Sequence, residues 1–476
     1  MGAEDERFLE DRVKVLGEDA LVVFVSDCHI GGDPGCDGFE AAEELTQLVE
    51  DISTHEGPVE LVLAGDFLDL LLVGEPAAGK DRAGIILERP EYERLFEALR
   101  RFSRSKDRRI VYLPGNHDAE VWWNERARGS LEEGIGVDEF ALSYLVGLRG
   151  RDGERYTVYC EHGDQFDPPN RVDDYSSPLS TPLGFHIVRD FERRIVPLGR
   201  ISRNLDLSEM RDVRPLSAIP QWMSSKYFYN VLGSITGKLM LPFMLLYLFY
   251  RAAAFFSTVS DDAPRIFYKA YLLVPRVDAA IKDAVFFVSI TLLLFAALVL
   301  LLGRTLRRFV SAMHEVNTDS GVGPSQEQRI DELVVQGRRP PMLDRDVPHI
   351  DAFVSGHTHT PDLRVLDRHD GRRTIVANSG CWLRWLTPIR AWLKGPPVFV
   401  PTFMLTHVRV FVRGTRLRVE LWQHPKPTAL QLTRLERLAT FGKRPRQPAP
   451  GAKPRLLGAA ETFADFGAVG RRVGEG

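Results

Sequence analysis

The stretch Ile110-Val111-Tyr112-Leu113-Pro114-Gly115-Asn116-His117-Asp118 decides how this chain is read. Its first four residues are an apolar run of strand length, which Pro-Gly breaks into a tight loop. Gly115 lets the backbone turn there without a Cβ clash. An amide oxygen, an imidazole and a carboxylate follow. Asn116 can ligate a metal through its side-chain oxygen, His117 can give a proton or a hydrogen bond, and Asp118 can hold the imidazole in one tautomer. Taken alone, the stretch fits equally well a polar strand-to-helix loop with Asp118 as the helix cap.

Repetition decides between the two readings. Leu21 to Val25 is a second apolar run, and it leads into Ser26-Asp27-Cys28-His29. If the extended conformation continues, Asp27 and His29 face one side and Cys28, a small core residue, the other. Glu60 to Ala64 runs into Gly65-Asp66, with Asp69 one helical turn on, placed to cap or orient rather than to ligate. Tyr156 to Cys160 ends in Glu161-His162-Gly163-Asp164, and Ile350 to Val354 ends in Ser355-Gly356-His357-Thr358-His359. Helical spacing is expected over Phe39–Ile52, Glu91–Phe102 and Val137–Leu148, a loop over 74–90, and a hairpin from Phe403 to Trp422 about Gly414. Trp122 and Trp123 read as core aromatics.

Five strand ends thus deliver Asp27, His29, Asp66, Asn116, His162, His357 and His359. Oxygen and imidazole donors of intermediate hardness suit two divalent transition-metal ions. Such a pair lowers the pKa of bound water and clamps a phosphoryl group for in-line displacement by hydroxide.

In this order, Asp27-x-His29, Gly65-Asp66-x-x-Asp69, Gly115-Asn116-His117-Asp118, His162 and Gly356-His357-x-His359 resemble the motif set of the calcineurin-like metallophosphoesterases. The resemblance implies an α+β fold, a two-sheet β-sandwich flanked by helices, here with an inserted apolar helical hairpin. It implies that Asp27, His29 and His359 hold one ion, that Asn116, His162 and His357 hold the other, and that Asp66 bridges them. His117 would then assist the leaving group or stabilise the transition state, oriented by Asp118. The ions would be manganese, iron or zinc, with manganese first. Ser26-Asp27-Cys28-His29, His162-Gly163-Asp164 and His357-Thr358-His359-Thr360-Pro361 are also similar to the branch that cleaves UDP-2,3-diacylglucosamine. The long apolar insertion departs from the compact members of that branch.

Composition narrows the partners. With 476 residues and a net charge of -4, the chain has no whole-protein basic footprint, so no nucleic acid is expected as partner. The 4 cysteines include no Cys-x-x-Cys, which excludes a zinc ribbon and suits a reducing compartment. The acidic start has no early apolar run, so no secretory signal is read there.

One stretch breaks the soluble pattern. Ala284 to Gly303 is 20 residues without a charge, long enough to cross ~30 Å of hydrocarbon as a helix. Metal donors lie both before and after it, so the insertion must cross an even number of times or lie in one leaflet. Leu239–Val259 is the expected second crossing, despite Pro242 and Arg251. Ile187–Leu207, rich in arginine, reads as a basic amphipathic segment or a solvated helix face. Arg304, Arg307 and Arg308 place the catalytic part on the cytoplasmic side of the cell membrane. The expected organisation is a first part of the phosphoesterase domain over 1–185, an inserted segment over 186–320, a second part over 321–424, and a basic, proline-bearing, mostly disordered tail over 425–476. The function expected is hydrolysis of a phosphoester substrate, lipid or lipid-linked, at the membrane. A soluble nucleotide or protein phosphoesterase whose apolar insertion is core, and a scaffold without turnover, are the competing readings.

Overall fold

The computed structural model describes residues 13–33, 37–151, 153–190, 207–214, 218–235, 238, 241–261, 273–319, 324–345, 347, 349–392, 395–429, 432–441, 447–449 and 451–463. Its strands are, in order, β1 (Val15–Leu16), β2 (Leu21–Val25), β3 (Val59–Ala64), β4 (Arg108–Leu113) and β5 (Glu139–Phe140). Then come β6 (Ser143–Arg149), β7 (Arg155–Glu161), β8 (Ala352–Ser355), β9 (Asp362–Asp367) and β10 (Arg373–Asn378). Last are β11 (Trp382–Ile389), β12 (Val398–Arg413), β13 (Arg416–His424) and β14 (Arg455–Phe463). One sheet has the order β1-β6-β7-β8-β10-β9, the other β14-β13-β12-β2-β3-β4-β5, with β11 paired to β12.

The continuous apolar runs are strands covered on both faces. Val22 and Phe24 enter the core between the sheets, with Val62 and Val111 beside them and Val158, Val354 and Ile375 opposite. Val23 and Val25 face the other way. With Leu61 and Tyr112 they meet helices α1 (Ala42–Ser53), α2 (Glu93–Ser103) and α3 (Glu125–Ile135) through Leu48, Leu99 and Leu131. Between β7 and β8 the chain forms α4 (Ile219–Ile235), α5 (Leu241–Asp261), α6 (Leu273–Asp319) and α7 (Gln326–Val335). Ile330 and Val334 of α7 cover Tyr159, Phe353 and Val376 on the outer face of the first sheet. The layers are therefore helix, sheet, sheet, helix.

β2, β3 and β4 run parallel, as do β7 and β8. Their C-terminal ends gather at one rim, where ligands of parallel sheets usually bind.

α5 and α6 form an antiparallel pair. Arg251 is ion-paired with Asp283, while Tyr247, one turn back along α5, stacks on Phe287, one turn on along α6, with ring centroids 3.7 Å apart. Farther along α6, Phe295 packs on Phe228, Tyr229 and Leu232 of α4, over Val398 and Val400 of β12. Among the described residues, Val277–Ala297 is the one apolar helical stretch long enough to cross a membrane, and Leu241–Ala254 of α5 falls short of that length. Leu239–Val259 is thus largely helical, but its apolar part is not a full span.

Several local expectations fail. Val137–Leu148 is not a helix: Tyr144, Val146 and Leu148 alternate into the inter-sheet core as β6 pairs with β7. The loop expected over 74–90 contains a helix at Arg82–Leu87, started by the Asp81 side chain accepting from Gly84 N. The tail expected to be disordered carries β14, which closes the open edge of β13 from Arg416 to Gln423 and sends Ala460 against the core. Most of Ile187–Leu207 lies outside the described residues.

Candidate metal centre

Each donor sits in the turn just past its strand. There the backbone does not continue extended, as the alternation argument assumed. Asp27, His29, Asp66, His357 and His359 take left-handed φ values of 53°, 48°, 52°, 72° and 62°. Such a conformation costs a non-glycine residue ~1–3 kcal/mol, so the surrounding bonds must enforce it. Glycines make room for the cluster. A Cβ on Gly115 would lie 2.3 Å from Asp66 Oδ1, and one on Gly356 would lie 2.5 Å from Asp27 Oδ2.

The turns bring all seven predicted donors together. Asp27, His29 and His359 form one convergent set, and Asp66, His162 and His357 another. His359 Nε2 lies 3.3 Å from Asp27 Oδ1 and 3.2 Å from His29 Nε2. His162 Nε2 lies 3.3 Å from Asp66 Oδ2, from Asn116 Oδ1 and from His357 Nδ1. Asp66 Oδ2 is also 3.8 Å from His29 Nε2, so this carboxylate stands between the sets. Asp27 Oδ1 is buried and accepts no hydrogen bond among the described residues, which leaves a lone pair for a cation. Imidazole nitrogens, carboxylates and one amide oxygen therefore fit a pair of divalent ions.

A second ring of groups turns the imidazoles. His29 Nδ1 lies 3.4 Å from Asp69 Oδ2, His162 Nδ1 lies 3.1 Å from the Ala64 carbonyl, and His357 Nε2 lies 3.0 Å from Asp167 Oδ2. Acceptors behind ligand imidazoles fix the tautomer that offers the other nitrogen to a metal. His359 differs, with Arg214 Nη2 2.8 Å from its Nδ1.

His117 is placed differently from the expectation. Asp69 Oδ1 lies 3.2 Å from His117 Nδ1. Asp118 instead accepts from the backbone N–H of Gly115, Phe67 and Leu68 and from the Tyr112 hydroxyl. It is a structural clamp on two turns, because its carboxylate points back under the loop that carries the imidazole. Burial alone would lower the His117 pKa, but the Asp69 and Asp66 carboxylates overcome this and raise it to about 9. Burial pushes Asp27 up, yet the His359 imidazole prevails and holds it below the usual carboxylate range.

A cleft of about 350 Å³ opens beside Asn116 and His117, with Leu70, Val73, Trp123 and Phe185 on its walls and Arg82 and Arg189 among them. Trp123 is thus a cleft residue, 37% exposed, and not the core aromatic expected. Asp167 and Arg214 carried no sequence signal, since each meets a histidine 190 and 145 residues away.

Residues 20–199 match the family model of the calcineurin-like phosphoesterases. The chain carries a calcineurin-like phosphoesterase domain. The phosphoesterase is accordingly a hydrolase of phosphoester bonds, and divalent metal ions are its class of cofactor. The match ends before His357 and His359, which the fold brings back from beyond the insertion. No curated protein matches the chain.

Proposed function

We propose that the phosphoesterase uses two divalent ions, manganese first, to cleave a lipid or lipid-linked phosphodiester or pyrophosphate at the cytoplasmic face of a membrane. One observation carries this reading: a hairpin with an apolar outer face stands on the sandwich that holds the donor cluster. Leu246 and Phe249 on α5 and Phe286, Leu293 and Leu294 on α6 are 66%, 73%, 68%, 68% and 66% exposed. An apolar surface of this extent marks a membrane or a partner. The 21 residues of Val277–Ala297 rise ~31 Å as a helix, close to the ~30 Å of a hydrocarbon core. Their Phe295 end sits on the sandwich, and Arg304, Arg307 and Arg308 follow in the sequence. Phe228, Tyr229 and Leu232 before the hairpin and Phe295 on its second limb pack together on β12, which supports a reading with the donors before and after the insertion on one side of the bilayer.

In this reading Asp27, His29 and His359 would hold one ion and Asn116, His162 and His357 the other, with the Asp66 carboxylate available to both. The ions supply positive charge for the phosphoryl oxygens and acidify water for attack. His117, kept protonated by Asp69, gives its proton to the leaving oxygen. The apolar walls beside it receive the leaving group and keep bulk water away. A soluble enzyme with a buried insertion is disfavoured by the exposure of α5 and α6.

The test is incubation of the purified full chain with anionic phospholipid vesicles carrying extracted cellular lipids, with added Mn²⁺ or chelator. Co-flotation with the vesicles and Mn²⁺-dependent release of phosphate-bearing headgroups are expected. A chain that stays in solution and turns over soluble nucleotides faster than any lipid would overturn the proposal.

A further inference from the structure

We propose that Arg214, supplied by the insertion, binds the phosphoryl group of the substrate. This rests on the reading of the donor cluster as a phosphoester-hydrolysing metal centre.

Three of the four ligand imidazoles have an acceptor behind them, in Asp69, the Ala64 carbonyl and Asp167. The fourth, His359, has a guanidinium at 2.8 Å from Nδ1. A cation there cannot serve as the others do. An imidazole that gives Nε2 to a metal keeps its proton on Nδ1, and a donor cannot bond a donor. Once the centre is loaded, Arg214 Nη2 has to find another acceptor.

The rest of the arginine is fixed. Its Nη1 donates to the carbonyls of Arg211 and Val213 at 2.9 and 3.1 Å. Val213 bridges to Leu386 of β11, and Asp212 is held by Arg384 at 2.7 Å. Asp212, the nearest carboxylate in sequence, is therefore already engaged. Among the described residues Arg214 makes no ion pair with a carboxylate, although it is half-buried. The carboxylates near it, Asp212 and Asp27, bond to Arg384 and to His357 N, so donors of the half-buried guanidinium stay open to an incoming anion. With Nη1 committed to two carbonyls, the Nη2 edge is the part that can meet a phosphoryl oxygen. An anchored cation against a ligand imidazole is thus available to a phosphoryl group. The insertion, through 207–214, contributes to substrate binding as well as to membrane contact.

The experiment measures inorganic phosphate binding to the Mn²⁺-loaded full chain by calorimetry, which needs no turnover, alongside bound manganese and hydrolysis of bis(4-nitrophenyl) phosphate. Arg214→Gln should weaken phosphate binding roughly 10- to 100-fold with bound manganese unchanged, the range for a charge-assisted hydrogen bond. Arg214→Lys, which keeps the charge and tests the site should the glutamine variant fail to fold, should recover only part of it. Unchanged phosphate affinity in a folded variant, or a loss matched by lost manganese, overturns the inference while hydrolysis by the parent chain stands. A parent chain that binds phosphate through Arg214 but hydrolyses no phosphoester leaves the inference standing and removes the proposed function.

Discussion

Asp69 and His117 share a contact of 3.2 Å between Oδ1 and Nδ1, and the same carboxylate reaches His29 Nδ1 at 3.4 Å through its other oxygen. One side chain therefore orients both a proposed metal ligand and the proposed proton donor. Asp118, the sequence neighbour of His117, does neither.

This division predicts a pH effect. A His117 pKa raised to about 9 keeps the acid form through neutral pH, so the limb of the kcat profile that His117 sets should lie on the alkaline side. Removing the Asp69 charge lowers that pKa, so Asp69→Asn should move the alkaline limb toward the ordinary histidine value near ~6.5. The pH–rate profile of a substrate with a poor leaving group checks this. A limb that stays put in Asp69→Asn but moves in Asp118→Asn would restore the original assignment of Asp118.

Asp118 should act on stability instead. Its carboxylate accepts from Gly115 N at 2.6 Å, Phe67 N at 3.0 Å, Leu68 N at 3.3 Å and the Tyr112 hydroxyl at 2.6 Å, all in the buried interior. Each donor left unpaired costs ~1–3 kcal/mol. Asp118→Ala should therefore destabilise the metal-free chain by several kcal/mol, seen as a clear fall in Tm. An unchanged Tm with lost turnover would make it a participant in the chemistry.

The legible part of the molecule was what strand burial writes locally. Leu21–Val25 and Ile110–Leu113 are apolar throughout because both faces of their sheet are covered. The donors were legible because each follows such a run within a few residues. What escaped the sequence depends on partners distant along the chain. Val137–Leu148 reads as helix until β7 offers a pairing edge. Leu456–Phe463 follows prolines and basic residues that suggest disorder, yet β13 offers it an open edge. Asp69 was visible as an orienting group, but its two imidazoles were not. Asp167 and Arg214 act on His357 and His359 from outside every motif.

Asp66 predicts how occupancy should fail. It stands between the two donor sets, 3.3 Å from His162 Nε2 and 3.8 Å from His29 Nε2. Asp66→Ala should lose both ions and all hydrolysis, whereas Asn116→Ala should lose mainly the ion near His162 and His357. Chelator should inactivate the parent chain, and Mn²⁺ should restore it and raise its Tm by mass action. Elemental analysis with turnover decides, and full activity of Asp66→Ala with two ions bound would end the bridging assignment.

The last prediction concerns the hairpin. Leu246 and Leu293 are 66% and 68% exposed on its outer face, so replacing them changes surface and not packing. A lysine near the centre of a bilayer costs ~2.5–3.5 kcal/mol on insertion scales. The Leu246→Lys, Leu293→Lys variant should therefore leave vesicles while keeping its Tm and its rate on bis(4-nitrophenyl) phosphate, and it should lose turnover of vesicle-borne lipid. Asp283→Leu should act differently. It strips Arg251 of its partner across α5 and α6, so it should loosen the hairpin itself, raising protease sensitivity between the two helices. Topology is checked separately by cysteines placed at positions 238 and 312. With the donors before and after the insertion on one side of the bilayer, an impermeant thiol reagent applied to intact cells should reach neither. Labelling at one position and not the other would mean an odd number of crossings, and no single metal centre could then be built from donors on both sides of the insertion.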